Sequence, residues 1–199
     1  VNDEVLKTIG RKHTAQQFFD AFELARKCGF DNINTDLIAG LPTDTPESFK
    51  NSLDSIVRLN AECITVHTLC MKRASRLTTE GVTLDLQQAR DAREMLAYTQ
   101  NILGQNEYIP YYMYRQSRMV GNLENVGWSK KGFESLYNVY VMDETHTILA
   151  CGSGGVTKLK RNNPDYLERI FNFKYPYEYI DRFDELIQRK SGIMQFYGQ

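Results

Sequence analysis

Long hydrophobic runs and an excess of charge of either sign are both missing from this sequence. No apolar run approaches the roughly 18 residues that a membrane-spanning helix needs. The 24 basic and 25 acidic side chains nearly cancel, and a net charge of -1 gives no attraction to nucleic acid or to an anionic membrane surface. Residues 1–4 lack the charged and then apolar order of a signal peptide. We therefore expect a cytoplasmic protein and, since the first residue is not Met, a piece of a longer one.

Cysteine is scarce, and its spacing does not suit a metal site. The four cysteines are Cys28, Cys63, Cys70 and Cys151, and no two of them form a Cys-x-x-Cys pair, so a structural zinc site is not expected. Cys63 and Cys70 lie on one predicted strand, roughly 20 Å apart, which is too far for a disulfide. The three histidines have no second ligand at metal spacing. We expect reduced thiols and assign no metal ligand.

Motifs that identify common catalytic sites are also absent. The sequence has no Gly-x-Ser-x-Gly, no His-Glu-x-x-His and no P-loop. It has no internal repeat and no low-complexity stretch. No residue is therefore assigned a catalytic role, and function has to be inferred from residues that could bind a ligand.

The sequence does contain an acidic side chain inside an apolar strand. Residues 32–39 read Asn-Ile-Asn-Thr-Asp-Leu-Ile-Ala and continue into Gly40-Leu41-Pro42. Side chains alternate along a strand, so Asp36 shares a face with Asn34 and Ile38. Because a strand between two helical segments should have both faces covered, Asp36 is expected to be buried or to line a cavity.

Two interpretations of Asp36 follow. A buried carboxylate without partners is costly, so Asp36 either caps a neighbouring backbone or pairs with a core Lys or Arg. The alternative is that it lines a pocket at the carboxyl end of the strand, where parallel α/β sheets bind their ligands. Gly40 would then allow the backbone to approach the ligand closely.

The pattern of elements predicts an α/β fold with two parts. Helices and strands alternate at first, as in a parallel sheet: helices begin near residues 2, 14, 45 and 85, with strands at 32–39 and 63–70. Later elements are a strand at 108–114, a hairpin of 136–142 with 147–151, strands at 156–160 and 167–173, and a helix at 176–190. We predict a partial parallel βα barrel over residues 1–105, followed by a small, mainly antiparallel β plus α extension over residues 106–199.

Two further segments are candidates for binding. Gly152, Gly154 and Gly155 follow an apolar stretch, and they either expose backbone N–H groups to a phosphate or form a glycine-rich bulge between strands. Arg115 follows an aromatic strand, and a guanidinium grips a carboxylate through two hydrogen bonds. Neighbouring aromatic rings could stack on a flat ligand. The alternative is an amphipathic strand that carries a solvated Arg115.

Several motifs together resemble one protein family. Residues 36–42, Asp-Leu-Ile-Ala-Gly-Leu-Pro, and residues 45–49, Thr-Pro-Glu-Ser-Phe, strongly resemble the radical S-adenosylmethionine enzymes of the oxygen-independent coproporphyrinogen III oxidase family. The supporting segments are residues 2–14, residues 114–116 and 121–127, which look like its coproporphyrinogen dehydrogenase-like subgroup, and the glycine-rich residues 152–156. The resemblance extends to about residue 190.

The resemblance implies a partial (βα)₆ barrel with a C-terminal α/β extension, in which Asp36 contacts S-adenosylmethionine. On this basis, the residues assigned to the cofactor are Asp36, Gly40, Cys70, Gly152, Gly154 and Gly155. The residues assigned to the substrate are Tyr114, Arg115 and Gln116, with Arg115 and Gln116 expected to grip a carboxylate.

The family's Cys-x-x-x-Cys-x-x-Cys motif, which holds a [4Fe–4S] cluster, is absent from this chain. In the family this motif precedes the segments that match here. The resemblance therefore implies a longer parent that is a radical oxidoreductase. That parent would decarboxylate the propionates of a tetrapyrrole, coproporphyrinogen III, to vinyl groups in haem biosynthesis. Without the cluster the chain alone is expected to be inactive. The reaction also needs an electron donor, which the motifs do not identify.

Two other functions stay open. Relatives of the family bind haem without oxidising a porphyrinogen, so haem binding or delivery is one alternative, with His67, Cys70 and Cys151 as conceivable axial ligands. The other is an anion-binding barrel enzyme that uses residues 152–155 for phosphate. In each case a half-barrel exposes strand edges and apolar surface, and we expect it to self-associate.

Overall fold

Two parallel strands joined by a helix stand where the sequence predicts them. A computed structural model describes residues 1–70, 86–115, 119–163 and 165–198, and the chain divides into two compact units, Val1–Ser135 and Leu136–Gln199. The first unit contains α1 (Asp3–Thr8), α2 (Ala15–Lys27), β1 (Asn34–Ala39), α3 (Pro46–Arg58), β2 (Cys63–Thr68), α4 (Leu86–Gln105), β3 (Tyr108–Tyr114), a 3-10 turn (Val120–Asn122) and β4 (Asn125–Lys130).

Side-chain caps define where the first three helices begin. The side chain of Asn2 accepts hydrogen bonds from two backbone N–H groups at the start of α1. Thr14 and Gln17 form a reciprocal capping box at the start of α2, and Thr45 caps α3 just before Pro46. Each cap contributes about 1 kcal/mol to helix stability. These helix starts are confirmed. The predicted start of α4 at Asp85 lies outside the described residues.

The strands of the first unit form one mixed sheet of four, in the order β1-β2-β4-β3. β1 and β2 are parallel, from Asn34 opposite Cys63 to Ala39 opposite Thr68, as the alternation of elements predicts. β4 runs antiparallel to both β2 and β3. The predicted α/β fold is confirmed. The sheet also contains β3 and β4, an antiparallel pair that the sequence pattern does not place in it.

The boundary between the two units lies later than the sequence predicts. The prediction ends the first domain at residue 105, but β3 and β4 pair within the first sheet and the unit extends to Ser135. Strand β4 is also missing from the prediction. Its residues, Asn-Val-Gly-Trp-Ser-Lys, carry only two large apolar side chains, so their alternation is too weak to identify a strand.

Helices cover one face of the sheet. Phe49, Leu53 and Ile56 of α3 and Met95 and Leu103 of α4 are almost completely buried. They form one cluster with side chains from the strands, which include Leu37, Ile64, Val66 and Trp128. The alternation predicted for β1 is confirmed, because Thr35, Leu37 and Ala39 are buried while Asn34 and Asp36 are exposed.

The second unit differs from its prediction at its beginning. It contains α5 (Leu136–Asp143), β5 (Val156–Asn162), β6 (Asp165–Phe171), α6 (Pro176–Asp181), α7 (Phe183–Lys190) and α8 (Gly192–Tyr197). The predicted strand at 136–142 is wrong, since these residues form helix α5. The run Leu-Tyr-Asn-Val-Tyr-Val-Met is apolar without clear alternation, and such short runs do not distinguish a strand from a helix. The predicted partner strand, 147–151, is reduced to one bridge between Ile148 and Lys158.

The remaining elements of the second unit are close to their predicted positions. β5 and β6 pair in an antiparallel hairpin. The predicted closing helix is divided at Arg182, whose backbone leaves the helical region. Arg182 and Arg189 lie on the ring of Phe173, each with its guanidinium carbon 4.2 Å from the ring centroid. Both guanidinium groups also pair with Glu185, three and four residues away, so the ionic contacts orient the two arginines and the cation–π contacts hold α7 against the end of the hairpin.

Gly127 of β4 permits a close contact within the sheet. Its partner on β3 is Tyr112, whose ring occupies the space that a β-carbon at position 127 would fill. We expect Gly127→Ala to reduce the free energy of unfolding by about 1–3 kcal/mol, as overpacking does. Urea unfolding of the purified variant measures this loss.

Gly104, near the end of α4, is the matched control, because nothing lies within 4 Å of a β-carbon placed there. Gly104→Ala should leave stability unchanged or raise it by up to about 1 kcal/mol, since Ala is the better helix former. An equal loss in the two variants would contradict the assigned contact between Gly127 and Tyr112.

Candidate functional site

The candidate site lies on the sheet face that α3 and α4 do not cover. Strand register places Asp36 of β1 beside Thr65 of β2, Thr65 beside Gly127 of β4, and Gly127 beside Tyr112 of β3. Side chains of directly paired residues project from the same face of a sheet. The result is a polar row that crosses the sheet from one edge strand of the described residues to the other.

Hydrogen bonds connect this row. The amide nitrogen Nδ2 of Asn34 donates to Oδ1 of Asp36 over 2.7 Å, and Oδ1 of Asn34 accepts from the Thr65 hydroxyl over 3.0 Å. The Thr65 hydroxyl also lies 3.3 Å from the hydroxyl of Tyr112. Asn34, Thr65 and Tyr112 therefore connect Asp36 to strand β3.

A second set of contacts reaches Asp36 from β2. The Nε2 atom of His67 lies 3.9 Å from Oδ1 of Asp36, and its Nδ1 atom lies 3.3 Å from the hydroxyl of Tyr114. The rings of Tyr112 and Tyr114 are nearly parallel, with centroids 6.4 Å apart. Both tyrosines are half-buried, and burial raises the pKa of each phenol, which keeps it protonated at neutral pH.

Asp36 is an exposed, ionised carboxylate. The sequence predicts that Asp36 is either buried or lines a cavity, and it is not buried, because 59% of the Asp36 side chain is accessible. The neighbouring His67 holds the pKa of the Asp36 carboxyl below its usual range, and the hydrogen bond from Asn34 acts in the same direction, while partial burial opposes both. Asp36 is therefore a negative charge held in place by its neighbours.

A cavity of about 330 Å³ lies beside β1, and Asp36 is part of its lining. The rest of the lining is mainly apolar, with Leu6, Phe18 and Leu41 among its side chains. The titratable side chains of the lining are Arg11, His13, Asp36 and Asp44, and the amino group of Val1 also lies in the lining. Burial raises the pKa of Asp44, and its Oδ1 atom is buried without a hydrogen-bond partner among the described residues. The second interpretation of Asp36, as a residue that lines a pocket, is therefore the one that this geometry supports.

Gly40 and Cys70 follow the two parallel strands. Gly40 has a φ of +81° and is buried, and its N–H points to the sulfur of Met95 over 3.3 Å. A β-carbon at Gly40 would lie 3.2 Å from that of Ala92, so the close approach at this position is made by α4. Cys70 is half-buried, and its backbone forms an isolated antiparallel β-bridge with that of Met119.

The residues predicted to bind substrate are only partly described. The Tyr114 hydroxyl is directed at His67, and the Arg115 guanidinium pairs with the carboxylate of Glu124. Arg115 is exposed, so its pair with Glu124 is in contact with solvent. Gln116 lies outside the described residues. Capture of a substrate carboxylate by Arg115 stays a prediction, and the ligand would have to compete with Glu124.

The glycine-rich segment belongs to the second unit, where its N–H groups bond to protein atoms. The N–H of Gly152 donates to the hydroxyl of Tyr179, that of Gly154 to the carbonyl of Phe173, and that of Gly155 to the carbonyl of Gly152. Asn172, which is buried, also donates to the carbonyl of Gly152. These bonds describe a closed turn, as the bulge interpretation expects. Cofactor binding by Gly152, Gly154 and Gly155 stays a prediction.

Within the described ranges there is neither a metal-binding cluster nor a membrane-spanning helix. No group of three or more His, Cys, Asp or Glu side chains there is arranged to hold a metal ion. No helix there is both long and apolar enough to cross a bilayer. All four cysteines are described, and they are thiols. Burial raises the pKa of the Cys63 thiol, so it remains protonated.

The sequence places Asn34 on the face of Asp36 and offers His67 only as a conceivable haem ligand, and it does not identify Thr65 and Tyr112 as members of the site. The available signal is the repetition of polar residues at every second position of two adjacent strands, Asn34 and Asp36 on β1 and Thr65 and His67 on β2. Parallel strands in register bring such pairs together on one face. Tyr112 could not be found in this way, because its place depends on the unpredicted strand β4.

Comparisons with known proteins agree with this fold and with the motifs. Residues 1–56 match the family model of the Radical SAM superfamily. The chain is 37% identical over 193 residues to the oxygen-independent coproporphyrinogen-III oxidase-like protein HemZ of Bacillus subtilis, covering 97% of this chain and 38% of that protein. It is 32% identical over 171 residues to the heme chaperone HemW of Lactococcus lactis, covering 81% of this chain and 41% of that protein.

A solved structure shares the fold. Coproporphyrinogen III oxidase HemN from Escherichia coli, described as a radical SAM enzyme, matches with a TM-score of 0.65 and 19% identity, over 92% of this chain and 41% of that one. By fold and by sequence this chain is therefore related to the radical SAM proteins. More narrowly, it is similar in sequence to the oxygen-independent coproporphyrinogen-III oxidase-like protein HemZ and, over 65 residues, to the oxygen-independent coproporphyrinogen III oxidase of Escherichia coli, and the predicted resemblance is confirmed. The chain spans 38% and 41% of the length of HemZ and HemW.

The lowered pKa of Asp36 generates a pH-dependent prediction. The unfolded carboxyl has a pKa of about 3.9, and the folded value is lower. Ionised Asp36 therefore stabilises the fold above that value, and its contribution is lost as the pH falls through the folded-state pKa. We expect Asp36→Asn to lower the urea midpoint modestly at pH 7, because the side chain is exposed, and to have less effect at pH 3. A difference of the same size at both pH values would contradict the assignment.

Proposed function

We propose that this chain forms part of the wall that binds S-adenosylmethionine and substrate in a radical SAM oxidoreductase. The observation that carries the proposal is the ionised Asp36, which is held by Asn34 and His67 and lines a largely apolar cavity. Homology to the oxygen-independent coproporphyrinogen III oxidase family supplies the class of reaction. Gly40 and Cys70, at the ends of the same parallel strands, complete the proposed cofactor side in this unit.

The cavity fits S-adenosylmethionine in its chemistry. The cofactor combines a cationic sulfonium, an ammonium group, a carboxylate and ribose hydroxyls with a flat, largely apolar adenine. Asp36 and the unpartnered Oδ1 atom of Asp44 would accept from ammonium or hydroxyl groups, and Arg11 would pair with a carboxylate. A volume of about 330 Å³ is at the low end for a ligand site, so the cavity would hold only part of the cofactor.

The [4Fe–4S] cluster does not fit this chain. Its four cysteines lack the family spacing, and the described residues contain no cluster of metal-ligating side chains. We therefore place the cluster in a part of the parent protein that this chain does not include, and expect the chain alone to be inactive. The chemistry that the cluster and S-adenosylmethionine would supply together is a radical that abstracts hydrogen from the substrate.

The proposed substrate is a porphyrinogen with propionate side chains. In coproporphyrinogen III the reaction would convert propionates to vinyl groups with loss of CO₂. Arg115, which follows β3, is proposed to bind a substrate carboxylate. Tyr114 precedes it in the chain and Gln116 follows it. Self-association through exposed strand edges stays part of this proposal, since β1 and β3 are edges of the described sheet.

Ligand binding by the chain itself tests the cofactor half of the proposal. We expect S-adenosylhomocysteine to bind, and Asp36→Asn to weaken its binding about 10-fold or more, as loss of a charge-assisted hydrogen bond does. Calorimetric titration measures the dissociation constants. The control is Asp20→Asn, an exposed carboxylate on α2 that is not part of the cavity lining. Equal binding by the wild type and both variants would contradict the role of Asp36.

A second function, haem binding or delivery, is favoured by the match to the heme chaperone HemW. One experiment separates the two. The full-length protein, with its cluster reconstituted, is given a reductant, S-adenosylmethionine and coproporphyrinogen, and a parallel sample is titrated with haem. Reductive cleavage of S-adenosylmethionine with a vinyl product supports the oxidase. A haem spectral shift without turnover supports the chaperone, and His67→Ala then tests whether His67 is an axial ligand.

A further inference from the structure

The hydrogen bonds around Asn34 have only one possible direction. Nδ2 of Asn34 donates to the carboxylate of Asp36, so the other end of the amide, Oδ1, can only accept. The Thr65 hydroxyl must therefore give its single hydrogen to Asn34. It follows that the hydroxyl of Tyr112, 3.3 Å from Thr65, is the donor in that contact. A relay of donors runs from Tyr112 through Thr65 and Asn34, and it ends at Oδ1 of Asp36.

A second relay also begins at a tyrosine of β3 and also ends at Oδ1 of Asp36. The Tyr114 hydroxyl lies 3.3 Å from Nδ1 of His67, and Nε2 of that ring faces Oδ1 of Asp36 at 3.9 Å. When the imidazole is neutral and Tyr114 donates to Nδ1, the ring proton is on Nε2, the nitrogen that faces Asp36. At 3.9 Å the dipole of this N–H attracts the carboxylate electrostatically rather than through a direct hydrogen bond.

We propose that Tyr112 and Tyr114 are positioning residues for Asp36, and that the absence of a side chain at Gly127 provides the space for Tyr112. Each tyrosine hydroxyl begins a relay that directs an N–H at the same carboxylate oxygen, although neither hydroxyl touches Asp36 itself. The function of the positioned carboxylate, to bind S-adenosylmethionine, rests on the proposed function above. The relays themselves do not depend on it.

Gly127 explains why the first relay can cross the sheet. Strand β4 lies between β2 and β3, so Tyr112 must pass over β4 to reach Thr65. A side chain at Gly127 would occupy the position of the Tyr112 ring. Thr65 is only 2% exposed, so its hydroxyl has little access to water and depends on these protein partners. The first relay therefore depends on the contact between Gly127 and Tyr112 and on the burial of Thr65.

The charged and titratable groups that surround Asp36 come from several elements. They are His67 on β2, Tyr112 and Tyr114 on β3, and Arg11, His13 and Asp44 in the cavity lining. The relays act on Asp36 in addition to the charges of Arg11 and Asp44. A test must therefore remove a hydroxyl without changing any charge, and Tyr→Phe substitutions do this.

The experiment measures the pKa of Asp36 in the ligand-free chain from the carboxyl carbon shift in NMR spectra of protein labelled with ¹³C at Asp. Loss of a relay should weaken stabilisation of the anion, so Tyr112→Phe and Tyr114→Phe are each expected to raise the pKa of Asp36, by about 0.5–1 unit. In Tyr114→Phe, Nδ1 of His67 loses its hydrogen-bond donor. The ring proton of His67 can then move from Nε2, which faces Asp36, to Nδ1.

Tyr108→Phe is the matched control. It removes another hydroxyl from β3, one that bonds to the carbonyl of Ala61 and has no link to Asp36. It should reduce stability and leave the pKa of Asp36 unchanged. Thr65→Val and Thr65→Ser test the Thr65 step of the first relay if Tyr112→Phe does not fold, and Thr65→Val also removes the direct contact of the Thr65 hydroxyl with Asp36. The valine variant should raise the pKa, and the serine variant, which keeps the hydroxyl, should not.

The outcomes separate the relay from the proposed function. An unchanged Asp36 pKa in Tyr112→Phe, Tyr114→Phe and Thr65→Val would overturn the relay, even if the chain binds S-adenosylhomocysteine. A raised pKa in a chain that does not bind S-adenosylhomocysteine would support the relay and count against the proposed function. When both hold, the relay variants should also bind the ligand several-fold more weakly than Tyr108→Phe.

Discussion

Coverage of one face of the four-stranded sheet by helices is the constraint on which the rest of the first unit depends. Helices α3 and α4 cover one face with apolar side chains, and that face supplies the hydrophobic stabilisation. The opposite face is then free to carry polar groups, because Asn34 and Asp36 need no burial to maintain the strand. Period-two alternation assigns each residue of β1 to one of these faces. The helix-covered core and the polar row of the site are therefore on opposite faces of the same strands, while the cavity beside β1 also reaches the core side chains Leu37 and Phe49.

The site combines the negative charge of Asp36 with neighbouring side chains that hold this carboxylate in position. Asp36 is exposed enough to meet a ligand, while Asn34 and His67 contact the same carboxylate oxygen. Such an arrangement reduces the reorganisation needed when a cation or hydroxyl binds, which is the usual benefit of preorganisation. In the proposed function, the ligand that meets this carboxylate is the cationic S-adenosylmethionine.

Local sequence signals predicted local features well and failed where distant segments meet. The caps at Asn2, Thr14 and Thr45 depend on residues within one turn, and they were found from the sequence. The helix at Leu136–Asp143 was mistaken for a strand, because a short apolar run fits both. The exposure of Asp36 was missed for a different reason: a single strand does not reveal how many of its faces are covered. His67 became part of the site only through its register with Ile38, which no local pattern encodes.

The relays cross from one edge of the described sheet to the other, and this has a mechanical consequence. β1 and β3 are separated by β2 and β4, and adjacent strands in a sheet are rotated relative to one another by a right-handed twist. A change of that rotation between β2 and β3 moves the Tyr112 and Tyr114 hydroxyls together, relative to Thr65 and His67. If the proposed relays hold, the electrostatic state of Asp36 is coupled to the twist of the sheet. A contact that changes the twist at β3 would then alter the carboxylate at β1 without touching it.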